Sequence, residues 1–367
     1  MNIAGTHYET IWLDEQNPQQ VQVIDQTQLP FRFRTRSLHS SLDVYNAIKG
    51  MTVRGAPLIG VTAAFGIYLA ALHADPGNWR KEIDKAAEKI GSARPTAVNL
   101  VAALEQVVEI THTATSRMEA VEKSLNASLD LLEKERENSR RIGEHGLPFI
   151  RAVYEKTSRP VNILTHCNAG WLACIDYGTA TAPVYLAHDQ GIPVHVWVDE
   201  TRPRNQGARL TAFELGEHGV PHTVITDNAG GHLMQHGKVD MVLVGSDRTT
   251  RGGDVTNKIG TYLKALAASD NRVPFYVALP TSSIDPQLED GLKQVPIEER
   301  HAGEVKNLEG WDPDSQSIRK ITLTPPGSPA LNPGFDVTPA RLITALITEC
   351  GTCRANPVEI ASLLKNA

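Results

Sequence analysis

Hydrophobic and polar positions change their rhythm partway along the chain. Residues 8–13 and 21–24 alternate like strands, and the turn-rich Asp14-Glu15-Gln16-Asn17-Pro18 between them predicts an antiparallel pair. Leu42, Tyr45 and Ile48 then follow helical spacing, and Gly50 is placed to end that helix. Residues 55–74 carry no Asp, Glu, Lys or Arg. Pro57, Gly60, Thr62, Gly66 and His73 dilute the apolar character, so this stretch reads as a buried core helix rather than a membrane span. Asp75-Pro76-Gly77 breaks the chain again. Val121, Leu125, Leu129 and Leu132 mark one face of a longer amphipathic helix. Residues 133–137, all charged, read as its solvated face, and Gly143-Glu144-His145-Gly146 as its end and a domain boundary. The expected division is a small mixed domain, 1–143, and a larger α/β domain, 144–367.

Past Pro160, short apolar runs recur at residues 161–164, 194–198, 223–225, 239–244 and 275–279. Most of the intervals are long enough for a crossover helix; that between the third and fourth is short and demands a compact one. Runs with so little polar alternation suit strands buried on both faces, hence a doubly wound, mostly parallel Rossmann-like sheet.

Composition narrows the partners. With 36 Lys and Arg against 42 Asp and Glu, the net charge is −6. The spread of charge argues against a nucleic-acid footprint, which needs a clustered basic face. Four cysteines and no export-like start suggest free thiols in a reducing, cytoplasmic setting. The histidines form no ligand pattern, and neither a Gly-x-Gly-x-x-Gly nor a P-loop lysine motif occurs, so no metal and no cofactor is expected. Cys350-Gly351-Thr352-Cys353 has redox spacing without a second pair and reads as an exposed turn.

In an open α/β sheet the ligand lies beyond the carboxyl ends of the strands, so the residues after each run carry the chemistry. Cys167 follows the first run. If it enters a helix, the free amides there would favour a thiolate usable as acid or base, although buried cysteines often only fill space. His166, its neighbour, points to the opposite face and reads as a core hydrogen-bonding group. Asp247 follows the fourth run and two small residues; a desolvated carboxyl there would have a raised pKa suited to proton transfer, with a helix N-cap as the structural alternative. Asp199 and Asp227 read as structural. Arg54-Gly55-Ala56-Pro57, Arg94-Pro95-Thr96 and Asn257-Lys258-Ile259-Gly260 each set a basic group beside an expected helix start, which favours a phosphorylated small ligand.

These residues sit in segments that together resemble the methylthioribose-1-phosphate isomerase family, which is related to the regulatory subunits of translation initiation factor 2B. The segments are Val53-Arg54-Gly55-Ala56-Pro57-Leu58-Ile59-Gly60, Ser92-Ala93-Arg94-Pro95-Thr96-Ala97-Val98-Asn99-Leu100 and Leu164-Thr165-His166-Cys167-Asn168-Ala169-Gly170. Further along come Asn205-Gln206-Gly207-Ala208-Arg209-Leu210, Val244-Gly245-Ser246-Asp247-Arg248, Gly253-Asp254-Val255-Thr256-Asn257-Lys258-Ile259-Gly260, Pro296-Ile297-Glu298-Glu299-Arg300 and Phe335-Asp336-Val337-Thr338-Pro339. The resemblance implies that Cys167 and Asp247 are catalytic and that Arg54, Gly55, Ala56, Arg94, Gln206, Asn257 and Lys258 contact substrate. It implies an aldose–ketose isomerisation of 5-methylthioribose 1-phosphate in methionine salvage, without metal or cofactor, in a homodimer. Ribose 1,5-bisphosphate and 5-deoxyribose 1-phosphate are the alternative substrates, and a non-catalytic regulatory subunit the alternative role.

Overall fold

The computed structural model describes residues 1–94 and 97–365. A short hairpin, β1 (Asn2–Ile3) and β2 (Thr6–His7), precedes a three-stranded antiparallel sheet of β3 (Ile11–Leu13), β4 (Val21–Ile24) and β5 (Thr35–Leu38). The antiparallel pair expected from the turn at residues 14–18 is β3–β4. Five helices follow: α1 (Ser41–Lys49), α2 (Ala56–His73), α3 (Trp79–Gly91), α4 (Val98–His112) and α5 (Arg117–Thr157). Ser40 caps α1 by accepting from the Asp43 amide, and Gly50 ends it. The charge-free helix α2 is buried along nearly its whole length, packed by α1, α3, α4 and α5. Burial inside a protein core, not lipid, explains its uniform apolarity.

Helix α5 corrects the expected break at residues 143–146. It runs on for 41 residues, its first half against α2 and its second against α6 (Ala182–Asp189), so residue 143, taken above as the domain boundary, lies inside one helix. The glycines serve contact, not termination. A Cβ on Gly143 would lie 2.8 Å from the Leu186 side chain, and one on Gly146 2.3 Å from the Pro183 ring. The reading of residues 133–137 as wholly solvated also fails at Glu135, which turns inward and is buried. Burial, reinforced by Glu349, pushes its carboxyl up to about 7.

The larger sheet is as predicted in its five central runs: β6 (Val161–Thr165), β7 (Val194–Asp199), β8 (His222–Ile225), β9 (Met241–Val244) and, further on, β12 (Phe275–Ala278). Helix α7 (Ala212–Glu217) follows a π-turn at Gly207–Thr211 between β7 and β8. The short interval before β9 holds the seven-residue α8 (Ala229–Gln235), and α9 (Thr261–Asp270) precedes β12. β8 is the edge strand and is largely exposed, so its apolar residues do not mark burial on both faces.

Six strands of mostly polar sequence were not foreseen. β10 (Arg248–Thr250), β11 (Val255–Lys258), β13 (Ile284–Asp285) and β16 (Phe335–Thr338) form a small sheet in the order β13-β10-β11-β16. A hairpin of β14 (Asn307–Asp312) and β15 (Ser317–Thr322) lies between them in sequence. Strands β17 (Ala345–Thr348) and β18 (Gly351–Cys353) complete the large sheet, in the order β18-β17-β12-β9-β6-β7-β8, parallel except for the edge strand β18. In the Cys-x-x-Cys segment only Cys350 lies in a turn; the other three residues are strand, with Cys353 buried rather than exposed.

The strand order places the site. From β6 the chain winds outward through β7 to β8, then returns to lay β9 on the other side of β6 before continuing to β12. The reversal lies between β6 and β9, where diverging connections leave a crevice above the strand ends. Cys167 leaves β6 and Asp247 leaves β9.

Candidate active site

A cavity of about 410 Å³ opens at that crevice, between the start of α2, the ends of β6 and β9, and the segment from Val295 to Arg300. Cys167, Asp247, Arg54, Gly55, Ala56, Arg94, Gln206 and Lys258 all line it. Residues separated by up to two hundred positions thus meet as the resemblance implied. Asn257 is the exception. On β11, Thr256 and Lys258 face the cavity, and strand alternation turns Asn257 to the other side, where its amide donates to Thr261 Oγ1 at 3.1 Å.

The thiol is held by its backbone. No helix begins at Cys167, contrary to expectation: a 3-10 turn at Trp171–Ala173 follows, and α6 starts only at Ala182. Instead, Cys167 has φ +71, a left-handed conformation that a side chain disfavours by on the order of 1 kcal/mol. Two threonines fix it there. Its N–H donates to Thr201 Oγ1 at 2.9 Å, and its carbonyl accepts from Thr211 Oγ1 at 2.8 Å. Gln206 Nε2 lies 3.5 Å from Sγ, a donor aimed at the sulfur.

Asp227 supports this arrangement from below, its two carboxylate oxygens each accepting at 2.7 Å from the amides of Thr201 and Arg202. His166 is buried, with Nδ1 2.9 Å from Asp199 and Nε2 2.8 Å from the Ile259 carbonyl, as its position on the opposite face required. His166, Asp199 and Asp227 lie close enough to suggest a metal-ligand set. The Lys264 ammonium is already among them, 3.2 Å from Asp199 and donating to the Asp227 carbonyl. That cation and the hydrogen bonds account for the cluster as a structural support.

Asp247 faces the cavity and is exposed to its solvent, with the cavity walls around that opening. The partial enclosure by those walls raises its pKa, against the opposing pull of Lys258, Arg94 and Arg54. It precedes β10, not a helix, so the N-cap alternative falls away. Lys258 is displaced the other way: burial lowers its pKa, while Cys167 and Asp247 raise it, which places all three groups in one electrostatic unit.

Seven cationic side chains line the cavity against three carboxylates. Most are already paired. Arg300 binds Glu304 and Glu298 at 2.8 and 3.0 Å, Arg204 binds Glu304 at 2.9 Å, and Arg209 lies 3.5 Å from Glu309. Arg94 reaches Glu298 at 3.6 Å, and burial lowers its pKa. Arg54 and Lys258 differ. Among the described residues neither forms an ion pair within 4 Å, and each is held by neutral oxygens: Arg54 by the side chain and carbonyl of Asn168, Lys258 by the Gly334 carbonyl at 2.8 Å. Gly55 then starts α2 at φ +95, and a Cβ there would fall 2.3 Å from the Ala173 carbonyl. Only glycine lets the helix start approach this closely. Two cavity-lining cations with no ion pair within 4 Å among the described residues, one of them adjoining a helix start, suit an anion site. Arg94 is a weaker case of the expected pattern: α4 begins at Val98, and Pro95 and Thr96 lie outside the described residues.

Met51, Ile59, Val98, Leu210, Val295 and Phe335 add apolar surface to the lining, the Phe335 ring lying 4.3 Å from the Lys258 ammonium. Sequence reasoning assigned no role to these, nor to Arg204, Arg209, Arg248 or Arg300. The 296–300 segment was visible as a motif, but nothing in it tells which residue reaches a cavity whose other wall is 200 positions away.

The family described as the initiation factor 2 subunit family matches residues 52–355. The methylthioribose-1-phosphate isomerase of Desulfatibacillum aliphaticivorans is 53% identical over 365 residues, covering 99% of this chain and 98% of the relative. That of Methylorubrum populi is 55% identical over 363 residues, with 99% and 98% covered. Among solved structures, 5-methylthioribose 1-phosphate isomerase from Pyrococcus horikoshii superposes with TM-score 0.85 at 34% identity, covering all of both chains. The delta subunit of translation initiation factor eIF-2B from A. fulgidus gives 0.82 at 36% identity, covering 98% of this chain and all of that one.

Proposed function

The chain belongs to the initiation factor 2 subunit family, and we infer that it isomerises 5-methylthioribose 1-phosphate to 5-methylthioribulose 1-phosphate, an aldose–ketose conversion in methionine salvage. The two solved structures resemble it about equally and carry different roles, so they do not separate enzyme from regulatory subunit. The full-length relatives at 53–55% identity do. The observation that carries the reading is a thiol and a carboxyl at neighbouring strand ends, opening on one cavity with two cations that form no ion pair within 4 Å among the described residues. A binding module needs neither reacting group.

The substrate is a glycosyl phosphate and does not open to an aldehyde spontaneously, so the enzyme must assist cleavage of the ring C–O bond. In our reading Arg54, Lys258 and the start of α2 hold the phosphate. Asp247, protonated because enclosure raises its pKa, gives its proton to the ring oxygen as the C1–O bond breaks. Cys167 as thiolate removes the C2 proton, leaving an enol between C1 and C2. The thiol then returns that proton to C1, and the C2 hydroxyl proton passes to Asp247, which ends the cycle protonated as it began. In this reading the methylthio group packs on apolar lining residues such as Ile59, Val98 and Val295, where a second phosphate would be desolvated. With all four cysteines free, a reducing compartment such as the cytoplasm suits the chemistry, and the assembly is proposed to be a homodimer.

The test is to incubate the purified protein separately with 5-methylthioribose 1-phosphate, 5-deoxyribose 1-phosphate and ribose 1,5-bisphosphate and to quantify ketose. Loss of the methylthio contact is expected to lower kcat/KM about tenfold or more for the deoxy sugar. The bisphosphate should be poorer still. Faster turnover of the bisphosphate than of the methylthio sugar would overturn the substrate assignment.

A further inference from the structure

Beneath the anion site lies a buried carboxylate that the mechanism above does not use. Glu214, on α7, is wholly inaccessible to solvent. Its Oε1 accepts from Asn168 Nδ2 at 3.0 Å and from the Leu172 amide at 2.8 Å, and the Tyr185 hydroxyl reaches Oε2 at 3.2 Å. The backbone makes room for it: a Cβ on Gly170 would fall 1.6 Å from Oε2.

Asn168 is the link to the cavity. Its amide nitrogen faces Glu214 and Thr211, which forces its oxygen toward Arg54, and that oxygen and the Asn168 carbonyl accept two nitrogens of the guanidinium. A planar fork held at two points has its rotation fixed. Burial raises the Glu214 pKa to about 7, while Asn168, the Leu172 amide and Arg54 pull it down.

We propose that Glu214 is a positioning residue for phosphate binding: through Asn168 it fixes the orientation of the Arg54 guanidinium, without itself touching substrate. This rests on the reading that Arg54 holds the phosphate. Replacement by glutamine preserves the relay, because its oxygen accepts the same two donors and its NH2 can donate to Tyr185. Alanine removes the Glu214 acceptor and leaves the Asn168 amide held by Thr211 alone.

The test is a double-mutant cycle with 5-methylthioribose 1-phosphate. Glu214→Ala is expected to raise KM about tenfold with kcat within about threefold, the size of one hydrogen bond to a charged group. Glu214→Gln should stay within about threefold of the parent in both. In an Arg54→Ala background, Glu214→Ala should leave KM unchanged. Should Glu214→Ala not fold, Asn168→Ser cuts the same relay from the other end, with the same KM rise and the same silence without Arg54. Equal factors with and without Arg54, or a glutamine variant as impaired as alanine, would overturn the positioning role alone. An Arg54→Ala variant with unchanged KM would overturn the phosphate reading and the proposal with it.

Discussion

Asp247→Asn is expected to lower kcat by on the order of 10²–10⁴, the range a positioned general acid supplies, while leaving KM within a few-fold of the parent. Asparagine keeps the shape and the cavity contacts but has no proton to give the ring oxygen. The pH dependence has a definite sign. Enclosure raises the Asp247 pKa, so the acid form required for ring opening is lost as pH rises through that value. kcat/KM should therefore fall on the alkaline side in the parent, and the residual activity of the variant should lack that limb. Stability follows pH in the same direction as activity. A carboxyl whose pKa is higher folded than unfolded carries no penalty below its unfolded value and a growing one as pH rises through the folded value. Asp247→Asn removes that penalty, so its Tm at neutral and alkaline pH should equal or exceed the parent's. A variant inactive because it unfolds would show the reverse.

The second large effect belongs to the thiol. Cys167→Ala should cost on the order of 10²–10⁴ in kcat, since proton transfer at C2 loses its base. Cys167→Ser should recover little, because a hydroxyl is not ionised near neutrality as a thiol can be. With substrate deuterated at C2, the proton-transfer route predicts loss of label to solvent in the parent. Full retention at C1 would instead assign a hydride shift and leave Cys167 only a hydroxyl proton to manage.

The parts of this molecule that could be read from residue order are those in which burial repeats locally. Val161–Thr165 and Met241–Val244 are apolar because helices cover both sheet faces, and α2 is free of charge because four helices surround it. Once those strands were placed, Cys167 and Asp247 followed as residues at strand ends. Local pattern failed where long-range pairing decides. β11 reads Val-Thr-Asn-Lys and forms because Thr256 pairs with Val337 and Lys258 with Phe335, some eighty positions away. Read as a loop before a helix, the segment offered Asn257 and Lys258 equally; as a strand it can turn only one of them into the cavity. Gly143 and Gly146 were misread for a related reason, since the residues that make them necessary, Pro183 and Leu186, lie forty positions on. Glu214 gave no local signal at all. A glutamate on a short helix looks solvated until the fold brings Gly170 and Asn168 over it.

Everything in the account requires one sugar phosphate to lie across the ends of β6 and β9. The most direct measurement is a crystal structure of Asp247→Asn soaked with 5-methylthioribose 1-phosphate, in which turnover is slow enough to trap the bound sugar. The account predicts the phosphate against Arg54, Lys258 and the start of α2, the residue 247 side chain within hydrogen-bonding distance of the ring oxygen, and Cys167 Sγ facing C2. A sugar bound with its phosphate between Arg204 and Arg209, or with Cys167 turned away from the ring, would contradict it.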